Sequence, residues 1–347
     1  MFENRERTEL SDLGEFGLID HLTQSFVSRN ASTFQGVGDD AAVIDTGADN
    51  YTLISTDSML EGIHFDLSFH PLKHLGYKAV STAISDIYAM NGQARQILVA
   101  LALSNRFSLE SVEELYSGIQ AACEKYGVDL VGGDTTASPK GLCITITALG
   151  SVPKTKLARR KGAGENDLLV VSGDLGAAYM GLQILEREKK VFLEHPGAQP
   201  DLQGHEYIIG RQLRPDARMD VVKILEELEI VPGCMIDISD GLASEIHHLG
   251  IHSDCGFDIY DEKLPIDPQV MSTAIDFDLN PSVVALNGGE DYELLFTVSQ
   301  EHYDKIKNHP DFTIIGHATS VKKQFRLIGK SGAAFEIQAQ GWQHFKG

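Results

Sequence analysis

The chain has 347 residues, 42% of them hydrophobic, which is enough for one large α/β domain and better suited to two medium ones. Its formal charge of −21 argues against nucleic acid and anionic membrane surfaces as partners, because the field repels phosphate; a small phosphorylated substrate would need cations or a local arginine to offset it. The charged opening MFENRERTEL and the absence of a run of about 18 apolar residues predict neither a signal peptide nor a spanning helix, so a cytoplasmic location is expected.

In chain order, LGEFGLIDHLTQSF (13–26) has apolar residues at helical spacing. The runs AAVIDT and YTLISTDSM follow as strands parted by the turn-like GADN, with Asp57 expected to close the second. A helix is predicted over 72–92, where Leu75, Ala79, Ala83 and Ile87 recur every four residues and Asn91-Gly92 ends the run. ARQILVALALS reads as a strand, SLESVEELYSGIQAACEKYG as a helix with a serine cap, and VDLVGGDTT and LCITITALGSV as two more strands.

The basic stretch PKTKLARRKGAGEND (153–167) marks a boundary between residues 1–152 and 153–347. Beyond it come a strand LLVVSG, a helix through DLGAAYMGLQILEREKKVF, a polar excursion from Glu194 of unassigned structure, and a helix DARMDVVKILEEL. GCMIDISDGLASEIHHLG passes from strand through a turn into a helix, GGED leads into the strand YELLFTV, and FTIIGHATS and FRLIGK are late strands. The whole is an α/β protein of two similarly organised halves.

Acidic residues gather at element ends beside small residues: Asp40, Asp57, Asp86, Asp134, Asp237, Asp240, Glu290 and Asp291. One such residue is ordinarily a turn or cap. A set is different, since converging carboxylates hold protons tightly unless cations enter. Oxygen donors without histidine or cysteine companions suit magnesium or manganese rather than zinc, and magnesium commonly brings substrate phosphates. The four cysteines, Cys123, Cys143, Cys234 and Cys255, contain no CxxC pair, so neither a zinc knot nor a disulfide frame is expected. Phosphoryl or nucleotidyl transfer is the chemistry indicated, although neither a P-loop nor a dinucleotide fingerprint is present.

The ordered motifs GEFGLI, GVGDDAAVI, ISTDSMLEGIHF, KAVSTAISDIYAMNG, LVGGDTT, DISDGL, GGEDYELLF and GWQHF resemble the thiamine-monophosphate kinase family, within the superfamily of aminoimidazole ribonucleotide synthetase and selenophosphate synthetase. The resemblance implies a two-domain aminoimidazole ribonucleotide synthetase-like fold, a homodimer whose N-terminal sheets join, and direct transfer of the γ-phosphoryl of ATP to thiamine monophosphate. It implies metal ligation by Asp40, Ser55, Thr56, Asp57, Asp86, Asp134, Asp237 and Asp240, with Asp57, Asp134 and Asp240 central to catalysis. Gly133, Asp134, Arg160 and Ser239 would meet ATP, and His64, Glu290 and Trp342 the thiamine phosphate. A selenophosphate synthetase would carry an early reactive cysteine, whereas the first here is Cys123. Aminoimidazole ribonucleotide synthetase, and a non-catalytic protein binding cations or nucleotides, stay open as alternatives.

Overall fold

The structure is a computed structural model and describes residues 10–340. The first half runs α1 (Leu10–Thr23), β1 (Thr33–Gln35), β2 (Ala42–Asp45), β3 (Asn50–Leu60), α2 (Leu72–Ala89), β4 (Gln93–Leu103), α3 (Leu109–Tyr126), β5 (Asp129–Ala137) and β6 (Leu142–Pro153). Its strands form one sheet in the order β1-β2-β3-β6-β4-β5, antiparallel except where β4 meets β5. Alternation along β6 buries Ile144, Ile146 and Ala148 on the face covered by α2. β5 is an edge strand exposed over its whole length.

The second half runs β7 (Leu168–Ser172), α4 (Ala177–Glu194), α5 (Glu206–Leu213), α6 (Met219–Glu227), β8 (Met235–Asp237), α7 (Leu242–Ser253), β9 (Gly256–Tyr260), α8 (Pro268–Asp276), α9 (Pro281–Asn287), β10 (Leu294–Val298), α10 (Tyr303–Ile306), β11 (Phe312–Thr319), β12 (Phe325–Ile328) and β13 (Ala334–Glu336). Its sheet has the order β13-β12-β9-β11-β7-β10-β8. One hydrophobic core includes residues of both halves, with Val80, Ile84 and Ile146 in the same cluster as Met235 and Phe296. Among the described residues no helix is long and apolar enough to cross a membrane.

Helix α2 joins the halves. Its apolar stripe packs as expected, but Lys78, Ser81, Thr82 and Ser85 on its other side are buried too. The reason is that α2 touches β3, β4 and β6 on one flank and β8 and α5 on the other. Helix α3 starts at the Ser108 cap, whose hydroxyl accepts from the Ser111 N–H, and stops at Gly127 with φ of 65°.

Several sequence expectations need correction. β3 continues three residues past Asp57, because Ser58, Met59 and Leu60 still pair with Thr145, Ile144 and Cys143 of β6. The unassigned excursion, 194–210, begins at the last residue of α4 and takes in the first residues of α5. Helices α8 and α9 were missed, although Asp267-Pro268 and Asn280-Pro281 are cap-plus-proline starts. Strands β1, β9 and β13 are three to five residues long, too short to show a period.

Helices α2 and α3 approach so closely that a Cβ on Gly118 would lie 1.8 Å from the Lys73 carbonyl oxygen. Substituting Gly118→Ala must part the helices, and should lower unfolding free energy by roughly 1–3 kcal/mol in denaturant titration. An unchanged midpoint would show that this contact is not tight.

Candidate active site

The site is assembled from short connections that the two sheets aim at one another. Between β1 and β2, Gly38 takes a φ of 113°, and the chain then turns Asp40 inward until it is buried. Arg160 donates to Asp40 Oδ1 through Nη2 at 2.6 Å and Nε at 3.1 Å. The other oxygen, Oδ2, is buried without a hydrogen-bond partner. Half-buried Asp86, on α2, accepts from the Ser55 hydroxyl of β3. Asp237, at the end of β8, is buried and accepts from the Ser85 hydroxyl at 2.5 Å.

Oxygens of Asp40, Asp86 and Asp237 all lie within 4.8 Å of one another. Asp57 follows Ser55 by two residues on the same face of β3, and its charge acts on both Asp86 and Asp237. Burial, then the charges of Asp237 and Asp40, push the Asp86 carboxyl well above the usual range. Burial and Asp40 raise Asp237 to about 7. Burial opposes the Arg160 charge, but Asp40 outweighs it and holds the guanidinium protonated. The donor set is all oxygen, one carboxylate oxygen is orphaned, and the group binds protons for want of positive charge. These residues fit a hard divalent cation such as magnesium.

A cleft of about 1500 Å³ opens above this cluster, between the halves. Asp240 and Ser239 lie on its wall in the turn before α7, where Gly241 has a φ of 116°. That helix has not begun at Asp240, so it is the turn, and not a helical face, that presents it. His64 Nδ1 accepts the Leu60 N–H at 3.0 Å, which leaves the proton of the neutral ring on Nε2.

Glu290 sits in the GGED turn at a φ of 56°, uncommon outside glycine. Its N–H donates to Ser239 O at 2.7 Å, tying together the two turns of the second half. Its carboxylate meets Lys78 Nζ at 2.8 Å and Gln212 Nε2 at 2.9 Å. Behind it, Asp291 accepts the Gly176 N–H at 3.1 and 2.9 Å, and Glu293 is held by Arg211, Arg218 and Ser172. From α1, Phe16 lies 4.1 Å from the His248 ring and under Arg160, at one end of the cleft.

Of the residues expected from sequence, Asp40, Ser55, Thr56, Asp57, His64, Asp86, Arg160, Ser239, Asp240 and Glu290 line the cleft, and Asp237 lies beside Asp40 and Asp86. The Thr56 hydroxyl is bonded to Thr147 at 2.9 Å, away from Ser55, because successive residues of a strand face opposite ways. Gly133 and Asp134 are not brought to this cleft: β5 is three strand positions from β3, about 14 Å away at ordinary strand spacing. Trp342 lies outside the described residues. Lys78, Ser85, Gln212 and Phe16 were not singled out in the sequence. A lysine among the apolar residues of α2, eight positions before Asp86, was the available signal for the first.

The AIR synthase related protein, N-terminal domain, model matches residues 38–152. The thiamine-monophosphate kinase of Bacillus subtilis (strain 168) is 30% identical over 341 residues, covering 96% of this chain and 100% of the relative. That of Aquifex aeolicus (strain VF5) is 34% identical over 336 residues, covering 97% and 99%. Among solved structures, AaThiL complexed with AMPPCP and TMP superposes with a TM-score of 0.82 at 31% identity, covering 98% of this chain and 100% of that one. Hydrogenase maturation protein HypE in complex with ATP shares the fold, with a TM-score of 0.68 at 19% identity over 97% and 99% of the two chains.

The raised Asp237 carboxyl makes stability depend on pH. Folded, it keeps its proton up to about 7; unfolded, only to about 3.9. Its contribution is therefore full below about pH 4 and is lost as pH rises through about 7. Without divalent cations, the unfolding midpoint should fall across that window, less steeply in Asp237→Asn. Magnesium should raise the midpoint more at about pH 7.5 than at about pH 5. An equal rise at both would contradict the charge cluster.

Proposed function

This chain belongs to the thiamine-monophosphate kinase family, and on that premise we propose that it transfers the γ-phosphoryl group of ATP directly to thiamine monophosphate, giving thiamine diphosphate and ADP. The observation that carries the reading is the meeting of Asp40, Asp57 and Asp86 from the first half with Asp237 and Asp240 from the second at one cleft. A kinase joining two anionic ligands has to cancel charge more than it has to make a nucleophile, since the acceptor phosphate oxygen is already an anion. Held by Asp40, Asp86 and Asp237, with Asp57 beside them and Ser55, Thr56 and Asp240 at the margin, magnesium ions would neutralise the phosphates.

The chain's own groups do the positioning. Arg160, whose Nε and Nη2 now meet Asp40, has a planar fork suited to an ATP phosphate, with Ser239 beyond it. His64 offers Nε2–H to the acceptor phosphate, while Glu290 orients the remainder of that substrate. Trp342 completes the acceptor site in this reading. The complex of a related protein with both AMPPCP and TMP supports two ligands in one such cleft.

The same proposal takes residues 1–152 as the dimer-forming half and 153–347 as the half that completes the site, in a cytoplasmic homodimer. The exposed β5 edge, with Leu130 and Val131 in the open, is a surface that a second copy would cover. Gly133 and Asp134 lie on it and would reach a nucleotide only in the assembled pair.

Purified protein with magnesium, ATP and thiamine monophosphate should form thiamine diphosphate, and omission of any one should stop it; ATP binding without product would favour a non-catalytic binder. Asp57→Asn should lower kcat by about 100-fold or more without lowering the metal-free unfolding midpoint. Activity equal to the parent would remove Asp57 from the site. His64→Ala should raise KM for thiamine monophosphate by about tenfold and leave that for ATP in place; a rise confined to ATP would contradict its assignment.

A further inference from the structure

Lys78 lies in the interior of α2 with none of its surface exposed. Within the helix Leu75, Ser81 and Thr82, one turn away, bring it no charge, and a buried ammonium is costly unless it is well paired. Its Nζ donates to the Gln212 carbonyl at 3.2 Å and lies 2.8 Å from Glu290 Oε1. Gln212 in turn donates its side-chain amide to Glu290 Oε2 at 2.9 Å. The three residues close a ring in which both oxygens of Glu290 are held, one by Lys78 and the other by a residue that Lys78 also holds.

The segment that carries His64 is tied to α5 close to this ring, six residues farther along the chain. His70 Nε2 lies 3.1 Å from the carbonyl of Leu213, next to Gln212, so the loop after β3 that carries His64 is anchored to the same turn. Among the described residues Lys78 bonds to Gln212 and Glu290 and makes no bond to Arg160 or Ser239, the groups on the nucleotide side. Along α2, eight residues separate Lys78 from Asp86, about 12 Å of helix.

We propose that Lys78 is a positioning residue for the acceptor end of the cleft: it fixes the Glu290 carboxylate, and with it the place of the thiamine phosphate relative to the cation cluster. It does not touch substrate; it acts through Glu290. This rests on the phosphoryl-transfer reading above, and wild-type protein that forms no thiamine diphosphate would refute that reading.

The test compares Lys78→Met, Glu290→Gln and the double variant by steady-state kinetics in each substrate, with thermal unfolding of all three. Lys78→Met should raise KM for thiamine monophosphate about tenfold with KM for ATP within about twofold of wild type. The double variant should match Glu290→Gln alone, because two residues acting through one contact are not additive. If Lys78→Met fails to fold, the double variant, which leaves no uncompensated charge, carries the comparison with Glu290→Gln. A further rise in acceptor KM in the double variant, an equal change in KM for ATP, or a Lys78→Met enzyme like wild type would each overturn the assignment.

Discussion

Carboxylates repel, and this fold holds several of them together away from water. Two unit charges about 4 Å apart interact by about 4 kcal/mol at an effective dielectric of 20, and oxygens of Asp40, Asp86 and Asp237 lie within 4.8 Å of one another. In the bare protein the repulsion is met by retained protons on Asp86 and Asp237, by the Ser55 and Ser85 hydroxyls, and by Arg160. None of these answers the orphaned Asp40 Oδ2. A divalent cation answers all of it, and in a chain of charge −21 it would add to Arg160 the positive charge that two phosphorylated ligands require.

Helix α2 is the element that makes this arrangement possible. Its sheet-facing stripe belongs to the first half, while Lys78 and Ser85 reach Glu290 and Asp237 of the second. The helix thereby fixes the separation between the cation cluster and the GGED turn. The turn is braced from behind by Asp291 on the Gly176 N–H and by Glu293 between two arginines, which maintain the left-handed backbone at Glu290 and Tyr292. Strain of this kind survives only where surrounding bonds over-determine it.

Much of the site was legible because acidic residues beside small residues, at or near element ends, seldom serve packing. Asp40, Asp57 and Asp237 declared themselves in that way, and Asp86 did so by lying one residue off the apolar stripe of α2. Asp57 as a strand end was misplaced because Ser58 and the residues after it lack an obvious apolar alternation, and only pairing with β6 keeps them extended. Lys78 was hidden for the opposite reason: an isolated lysine in a helix ordinarily reaches water, and only the second half of the molecule closes over it. Asp134 carries the same local signature as Asp40, yet its strand occupies the far edge of the sheet. Strand order cannot be obtained from local pattern, and it decides which like motifs meet.

The central claim is that carboxylates of both halves hold metal between two phosphorylated ligands. It is tested most directly by anomalous diffraction from crystals grown with manganese, a non-hydrolysable ATP analogue and thiamine monophosphate. The account predicts manganese peaks within coordination distance of Asp40, Asp86 and Asp237, with the nucleotide γ-phosphate and the thiamine phosphate on either side. Peaks confined to other sites, with those three carboxylates still paired only to serine and arginine, would contradict it.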